Sequence, residues 1–220
     1  MINEQTIEKA TYLPLEGVAG AELKLEHFLK QGSQLVRQTE PGTPLWFGLK
    51  ENNSYAIFDL FYQESDRQQH FKGQVAKALQ LNAPDLIKGG WETGVVHNVN
   101  NFDIIASNQF IKEQVLKSKL ANLITFKAKP GKEPELEDFL LAAAKNVDAN
   151  EEQTHLWLAL KTGPSSFAIF DSFAHSEAQQ SHFSGMVAQQ LQKHAPELIV
   201  DGWEDGVLAH VHFFDIIALS

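Results

Sequence analysis

The stretch "AIFDLFYQESDRQQHFKGQVAKALQLNAPDLIKGGWETGVVHNVNNFDIIA", residues 56–106, recurs at 168–218 without a gap, with 28 of its 51 positions identical. Self-similarity of this extent marks an internal duplication. Upstream, "HFLKQGSQLVRQTEPGTPLWFGLK" (27–50) matches "DFLLAAAKNVDANEEQTHLWLALK" (138–161), with the offset shortened by one residue. The change falls between Lys50 and Ser54, opposite Gly163-Pro164. Asn and Gly-Pro predict a turn there, where a change of length costs least.

Each copy reads as βαββαβ. In the second, "NLITFKA" is a strand, and "KPGK" leads to a helix with Pro134 in its first turn. Leu136, Phe139, Leu140, Ala143 and Val147 follow at helical spacing. "THLWLALK" and "SFAIFDSF" form a hairpin. The second helix opens at Ser176, with Gln179 at capping-box spacing, and buries Phe183, Val187 and Leu191. "GVLAHVHFFDIIAL" returns as the last strand. In the first copy, Pro14 within "TYLPLEG" suggests a broken or edge first strand. Such a unit makes an open antiparallel sheet with helices on one face, and a second copy can cover the other. The expected organisation is two units, 1–108 and 109–220, with a polar, part-helical connector over 107–119, forming a dimer written as one polypeptide.

Composition narrows the function. With 18 basic and 28 acidic residues the net charge is −10, which disfavours nucleic acid as a partner. The absence of Cys excludes disulfides, thiolate nucleophiles and Cys-held metals, and suits a reducing cytoplasm. "MINEQTIEKATYLP" lacks the pattern of an export signal, and no run approaches 18 apolar residues, so a soluble protein without membrane association is expected.

The run "EPGTPLWFGL", then "AIFDLF", then His70 in "RQQHFKGQVAKAL", then "APDLI" resembles the antibiotic biosynthesis monooxygenase superfamily. The second copy resembles it through "ITFKAKPGKEPELEDFL", "FAIFDSF" and "QQSHFSGMVAQQL". The resemblance implies an α+β fold of two ferredoxin-like βαββαβ units forming an intramolecular pseudo-dimeric α+β barrel. The family pattern is an acidic residue, a spacer and an aromatic on the third strand, then a His nine residues later. Asp59, Phe61 and His70 fit it, as do Asp171, Phe173 and His182. Phe stands where Trp is commoner, and the second copy lacks "EPGT". The activity implied is a cofactor-independent monooxygenase acting on a quinol, phenol or anthrone-like substrate with O2. The alternative is a non-catalytic small-molecule-binding or stress-response module of the same barrel, and further homo-oligomerisation is compatible with either.

Each candidate residue has two readings. His70 and His182 are general bases beside a pocket, or half-buried histidines with one satisfied hydrogen bond. Asp59 and Asp171 are their partners or polar anchors, or cross-sheet structural carboxylates. Trp46 and Trp157, with Phe61 and Phe173, wall a flat aromatic ligand or simply fill the core, and Trp91 and Trp203 occupy matched loop positions. His210 and His212 alternate on a strand without a third ligand, so no metal site is assigned. "KGGWETG" lacks the context of a nucleotide loop, and no bound cofactor is expected. The haem-degrading branch is similar in fold, but the places of its strand Asn and ligand His are held by Leu13 and Ile124, and by Gln80 and Gln192. The extra histidines of the second copy, together with its regular "KPGK" turn, predict a better-formed pocket there.

Overall fold

The computed structural model describes residues 6–220. The first copy forms β1 (Lys9–Glu16), α1 (Glu22–Thr39), β2 (Leu45–Glu51), β3 (Ser54–Phe61), α2 (Glu64–His70), α3 (Gln74–Leu86), α4 (Gly90–Gly94) and β4 (Asn100–Ser107). After α5 (Lys112–Val115), the second copy forms β5 (Leu120–Lys127), α6 (Glu133–Asn150), β6 (Thr154–Thr162), β7 (Ser166–Phe173), α7 (Ser176–Phe183), α8 (Met186–Leu198) and β8 (Val211–Leu219). The βαββαβ reading holds in both copies, with short extra helices. The eight strands form a closed antiparallel barrel in the order β1-β3-β2-β8-β5-β7-β6-β4. Within it each copy keeps the ferredoxin-like order of last, first, third and second strand.

The chain divides into two compact units. One comprises residues up to Phe102 with Ile216–Ser220, the other Asp103–Asp215. In the first, the end of the chain bonds to β2: the Trp46 amide donates to the Ser220 carbonyl (3.0 Å) and the Ser220 amide to the Trp46 carbonyl (3.1 Å). In the second, β4 from Asp103 onward pairs with β6, Asp103 opposite Lys161.

Within the first unit, β3 lies between β1 and β2, and both Thr11 and Trp46 stand opposite Asp59. Strand alternation places Trp46, Tyr55, Ile57 and Asp59 on one face. The apolar members of that face pack with Leu25 and Leu29 of α1 and with Val75 and Leu79 of α3. The second unit repeats this: Asn122 and Trp157 stand opposite Asp171, and Trp157 and Ile169 pack with Leu136, Leu140 and Leu191. Burial of these aromatic and aliphatic side chains contributes on the order of 1.5–3 kcal/mol each and fixes the strand register, because a slip of one residue would reverse every face.

Two details depart from or extend the sequence reading. Pro14 does not break β1; it pairs in register with Ala56, near the end of the strand that packs beside the short 3-10 turn Val96–Asn98. A missing N–H is tolerated where the neighbouring ladder has given way to a turn. The repeated "GWE.GV" is a close backbone approach. A Cβ on Gly94 would lie 2.3 Å from the Lys88 carbonyl oxygen, and one on Gly206 2.1 Å from that of Val200. Only glycine fits there, and the tight return brings Trp91 and Trp203 back onto their units. Among the described residues, no helix is long and apolar enough to cross a membrane.

Candidate functional site

Three elements converge in each copy. His70 is the last residue of α2, Asp59 lies on β3, and Glu40 caps the C-terminus of α1. The His70 Nδ1–H donates to Glu40 Oε2 (2.5 Å), and Nε2 lies 3.3 Å from Asp59 Oδ2. In the second copy His182 Nδ1 bonds Glu151, and its Nε2 lies 3.3 Å from Asp171 Oδ2. Both histidines and both aspartates are buried. The glutamates were not among the sequence candidates, although Glu40 and Glu151 align in the two copies. The glycine of the repeated "HF.G" belongs to the same construction. A Cβ on Gly73 would lie 2.5 Å from Glu40 Oε1, and one on Gly185 3.2 Å from Glu151 Oε1.

The sequence reading gave each histidine an ordinary titration near neutrality, and the geometry changes this. Burial pulls the imidazolium of His70 down, but Asp59 and Glu40 more than offset it, and the pKa is raised to about 10. His182 is likewise opposed by burial and raised to about 10 by Asp171 and Glu151. Each ring is therefore a cation between two carboxylates at neutral pH. Burial, opposed by His70, pushes the Asp59 carboxyl above its usual value.

A pH dependence of stability follows from these raised values. A histidine with an ordinary value of 6.5 when unfolded and about 10 when folded stabilises the native state fully below pH 6.5. As pH rises from there toward 10, the folded state holds protons that the unfolded state has released, and the contribution fades. Urea midpoints at pH 6 and pH 9 should show a loss on the order of 1–3 kcal/mol per histidine, absent from variants with Gln at both positions.

In the first unit this assembly forms part of a cavity of about 320 Å³. Asp59, His70 and Thr11 supply its polar groups, and Trp46, Trp91 and Phe28 its aromatic surface. The better pocket expected in the second copy is therefore not where this aromatic cavity lies. Trp46 and Trp91 wall it, whereas Phe61 stands outside the lining and packs its ring 5.3 Å from that of His70. Phe173 does the same to His182 at 5.4 Å. Trp157 is fully buried in the core of its unit. His212 stacks on Phe214, and among the described residues no group of three or more His, Asp or Glu is placed to hold a metal ion.

The polar groups around the strand aspartate differ between the copies, and the oxygen left without a hydrogen-bond partner is Oδ1 in Asp59 but Oδ2 in Asp171. In the first, Asp59 Oδ1 is buried with no hydrogen-bond partner, while Thr11 Oγ1 donates to Asn101 Oδ1 (2.8 Å). In the second, Asn122 Nδ2 donates to Asp171 Oδ1 (2.5 Å) and Gln179 Nε2 to Asn122 Oδ1 (2.7 Å). The indole Nε1 groups of Trp46 and Trp157 are alike in both copies, each a buried donor without a partner.

No family model matches the chain, and no curated protein matches it. Solved structures do. A protein of Fusobacterium nucleatum subsp. nucleatum, provisionally named a monooxygenase, superposes with a TM-score of 0.80 at 14% identity, over 98% of this chain and 94% of its own. One of Lactobacillus acidophilus, with the same provisional name, gives 0.74 at 10% identity over 98% and 96%. A protein described as anthrone oxidase-like gives 0.63 at 9% identity over 99% and 94%. These likenesses extend along the whole duplicated chain and agree with the resemblance read from its residues. The chain thus shares the α+β-barrel fold of these structures, carried as a tandem duplication in one polypeptide.

Proposed function

We propose that the protein is a cofactor-independent monooxygenase that oxidises a small phenol, quinol or anthrone-like substrate with O2. The observation that supports this most directly is the buried Asp59, with one carboxylate oxygen unpartnered, at the wall of an otherwise apolar, tryptophan-lined cavity. An acceptor in such a place gains by receiving a hydroxyl or an acidic C–H proton from a ligand, because leaving it unpaired is costly.

With its pKa near 10, His70 already carries its proton at neutral pH and cannot begin as the base. The base is Asp59, whose raised pKa makes it a better proton acceptor than an ordinary carboxylate. His70 holds the other Asp59 oxygen, and Glu40 holds His70. The aromatic wall orients the ring and excludes water. Once deprotonated, the substrate passes one electron to O2, the two radicals join in a C–O bond, and loss of water leaves a carbonyl. A methylene and O2 thus give C=O and H2O, and a phenol and O2 give a quinone and H2O, with no external reductant.

The test is oxygen uptake with a panel of quinols, phenols and anthrones, with product mass after reaction under ¹⁸O2. Incorporation of one labelled oxygen atom supports the reading. Absence of uptake with every member would reject it and leave the cavity as a small-molecule-binding site. No specific haem binding is expected, since Leu13 and Ile124 are buried core residues and Gln80 and Gln192 face outward. A stoichiometric Soret shift on adding haem, abolished by replacing one histidine, would contradict this.

A further inference from the structure

The two copies carry the same Asp, His, Glu and Trp, and each leaves one aspartate oxygen without a hydrogen-bond partner, but not the same one: in the second copy it is Asp171 Oδ2, which faces the His182 ring at 3.3 Å, whereas in the first it is Asp59 Oδ1, the oxygen whose counterpart on Asp171 is capped by Asn122. Asp59 and Asp171 occupy equivalent positions on β3 and β7, and the residue directly opposite is Thr11 in one case and Asn122 in the other. A directly opposed cross-strand pair brings short side chains into contact. Asn supplies a carboxamide N–H to its neighbour, whereas the Thr11 hydroxyl is turned to Asn101. A second difference reinforces the first. Gln179 in the second copy grips the Asn122 carbonyl and so fixes which way the amide faces. Its counterpart, Arg67, instead donates through Nη1 to the carbonyls of Ala10 and Phe102, both at 3.2 Å.

We propose that the duplicated site has divided into two roles: the first copy binds a neutral hydroxylated aromatic through Asp59 Oδ1, and in the second copy Asn122 occupies that same bond, making it a structural brace. The ligand class follows from the cavity. Its wall is apolar apart from a few buried polar groups, with the acidic Asp59 among them, a setting that disfavours an anionic ligand. The open group is an acceptor, which calls for a donor hydroxyl, and the remaining wall is apolar and aromatic. The identity of the residue facing the strand carboxylate, Thr or Asn, is then the specificity determinant. This inference deepens the oxygenase reading and rests on it only for the reaction; the binding claim stands separately.

The test is calorimetric titration of the full chain with 2-naphthol, a neutral hydroxylated aromatic. One site per chain is expected. Thr11→Asn, which recreates the Asn122 bond on Asp59, should weaken binding at least tenfold. Thr11→Val, which removes the hydroxyl without adding an amide, should bind at least tenfold more tightly than Thr11→Asn, and this separates plugging of the carboxylate from general damage to the strand. Two equivalent sites in the wild type, equal affinities of Thr11→Asn and the wild type, or no binding of 2-naphthol at all would each overturn the proposal. Oxygen uptake measured on the same samples distinguishes the two readings. Binding at one site without uptake by any substrate rejects the oxygenase reading alone, and wild-type uptake by Thr11→Asn rejects the division of roles alone.

Discussion

Asp59→Asn should lower the kcat of oxygen uptake on the order of 10²- to 10⁴-fold, the usual contribution of a positioned base. The substitution keeps the shape of the side chain and replaces an acceptor-only oxygen by an amide that cannot take the proton. Because Asp59 lies within 3.3 Å of a buried imidazolium, the loss of its charge also withdraws support from His70. The pKa of His70, followed by its ring ¹H–¹⁵N signals, should therefore fall from about 10 in the same variant. A kcat reduced less than threefold in protein with unchanged circular dichroism would remove Asp59 from the chemistry. His70→Ala is the less informative substitution. It also leaves Asp59 and Glu40 facing one another without a cation, so stability and activity change together.

In the second copy that same imbalance gives the largest expected effect on stability. His182→Ala should destabilise the protein at pH 7 by about 3–5 kcal/mol, because removing one member of a buried ion cluster leaves its partners charged and uncompensated. Asp171 is wholly buried, and the Glu151 side chain is only 12% exposed, so water cannot take the place of the ring. Wild type and variant both gain stability toward acid, but in different windows: the wild-type histidine contribution is already complete below pH 6.5, whereas two buried like charges facing one another favour proton uptake in the more acidic range, so the deficit should shrink as pH falls toward 5. Urea denaturation of wild type and variant at pH 5 and pH 7 measures this. A deficit below 1 kcal/mol, or one independent of pH, would mean that the cluster does not brace the second unit.

The repeat made most of the fold legible. An offset that holds from Ala56 to Ala106, with period-2 strands and helical stripes in both copies, leaves little choice but two βαββαβ units. It also made the Asp and His pairs visible, since buried polar groups retained in both copies stand out from the apolar positions around them. The glutamates were equally retained at 40 and 151, but they follow the last turns of α1 and α6, where an acidic residue ordinarily reads as solvated. Their meaning depends on Gly73 and Gly185, which let the chain pass close to the carboxylate, and no local pattern announces such a contact. Phe61 and Phe173 were read as ligand walls or as core filling. The structure shows them buttressing the imidazoles, a matter of side-chain direction that strand alternation leaves open.

The sequence alone therefore determined the duplication, the order of the elements, the faces of the strands and the Asp and His brought to each site. These follow from periodicity and local conformational preference, which act over a few residues. Only the tertiary structure decided the charge of His70, and which of the two strand aspartates has its Oδ1 capped by an amide. Both depend on distances between residues remote in the chain, 30 positions from His70 to Glu40 and 49 from Asn122 to Asp171, and on the loss of water around them. Desolvation and hydrogen-bond completion are properties of an enclosed volume, and the exchange of Thr11 for Asn122 acquires its consequence only once the opposing strand places a buried carboxylate against it.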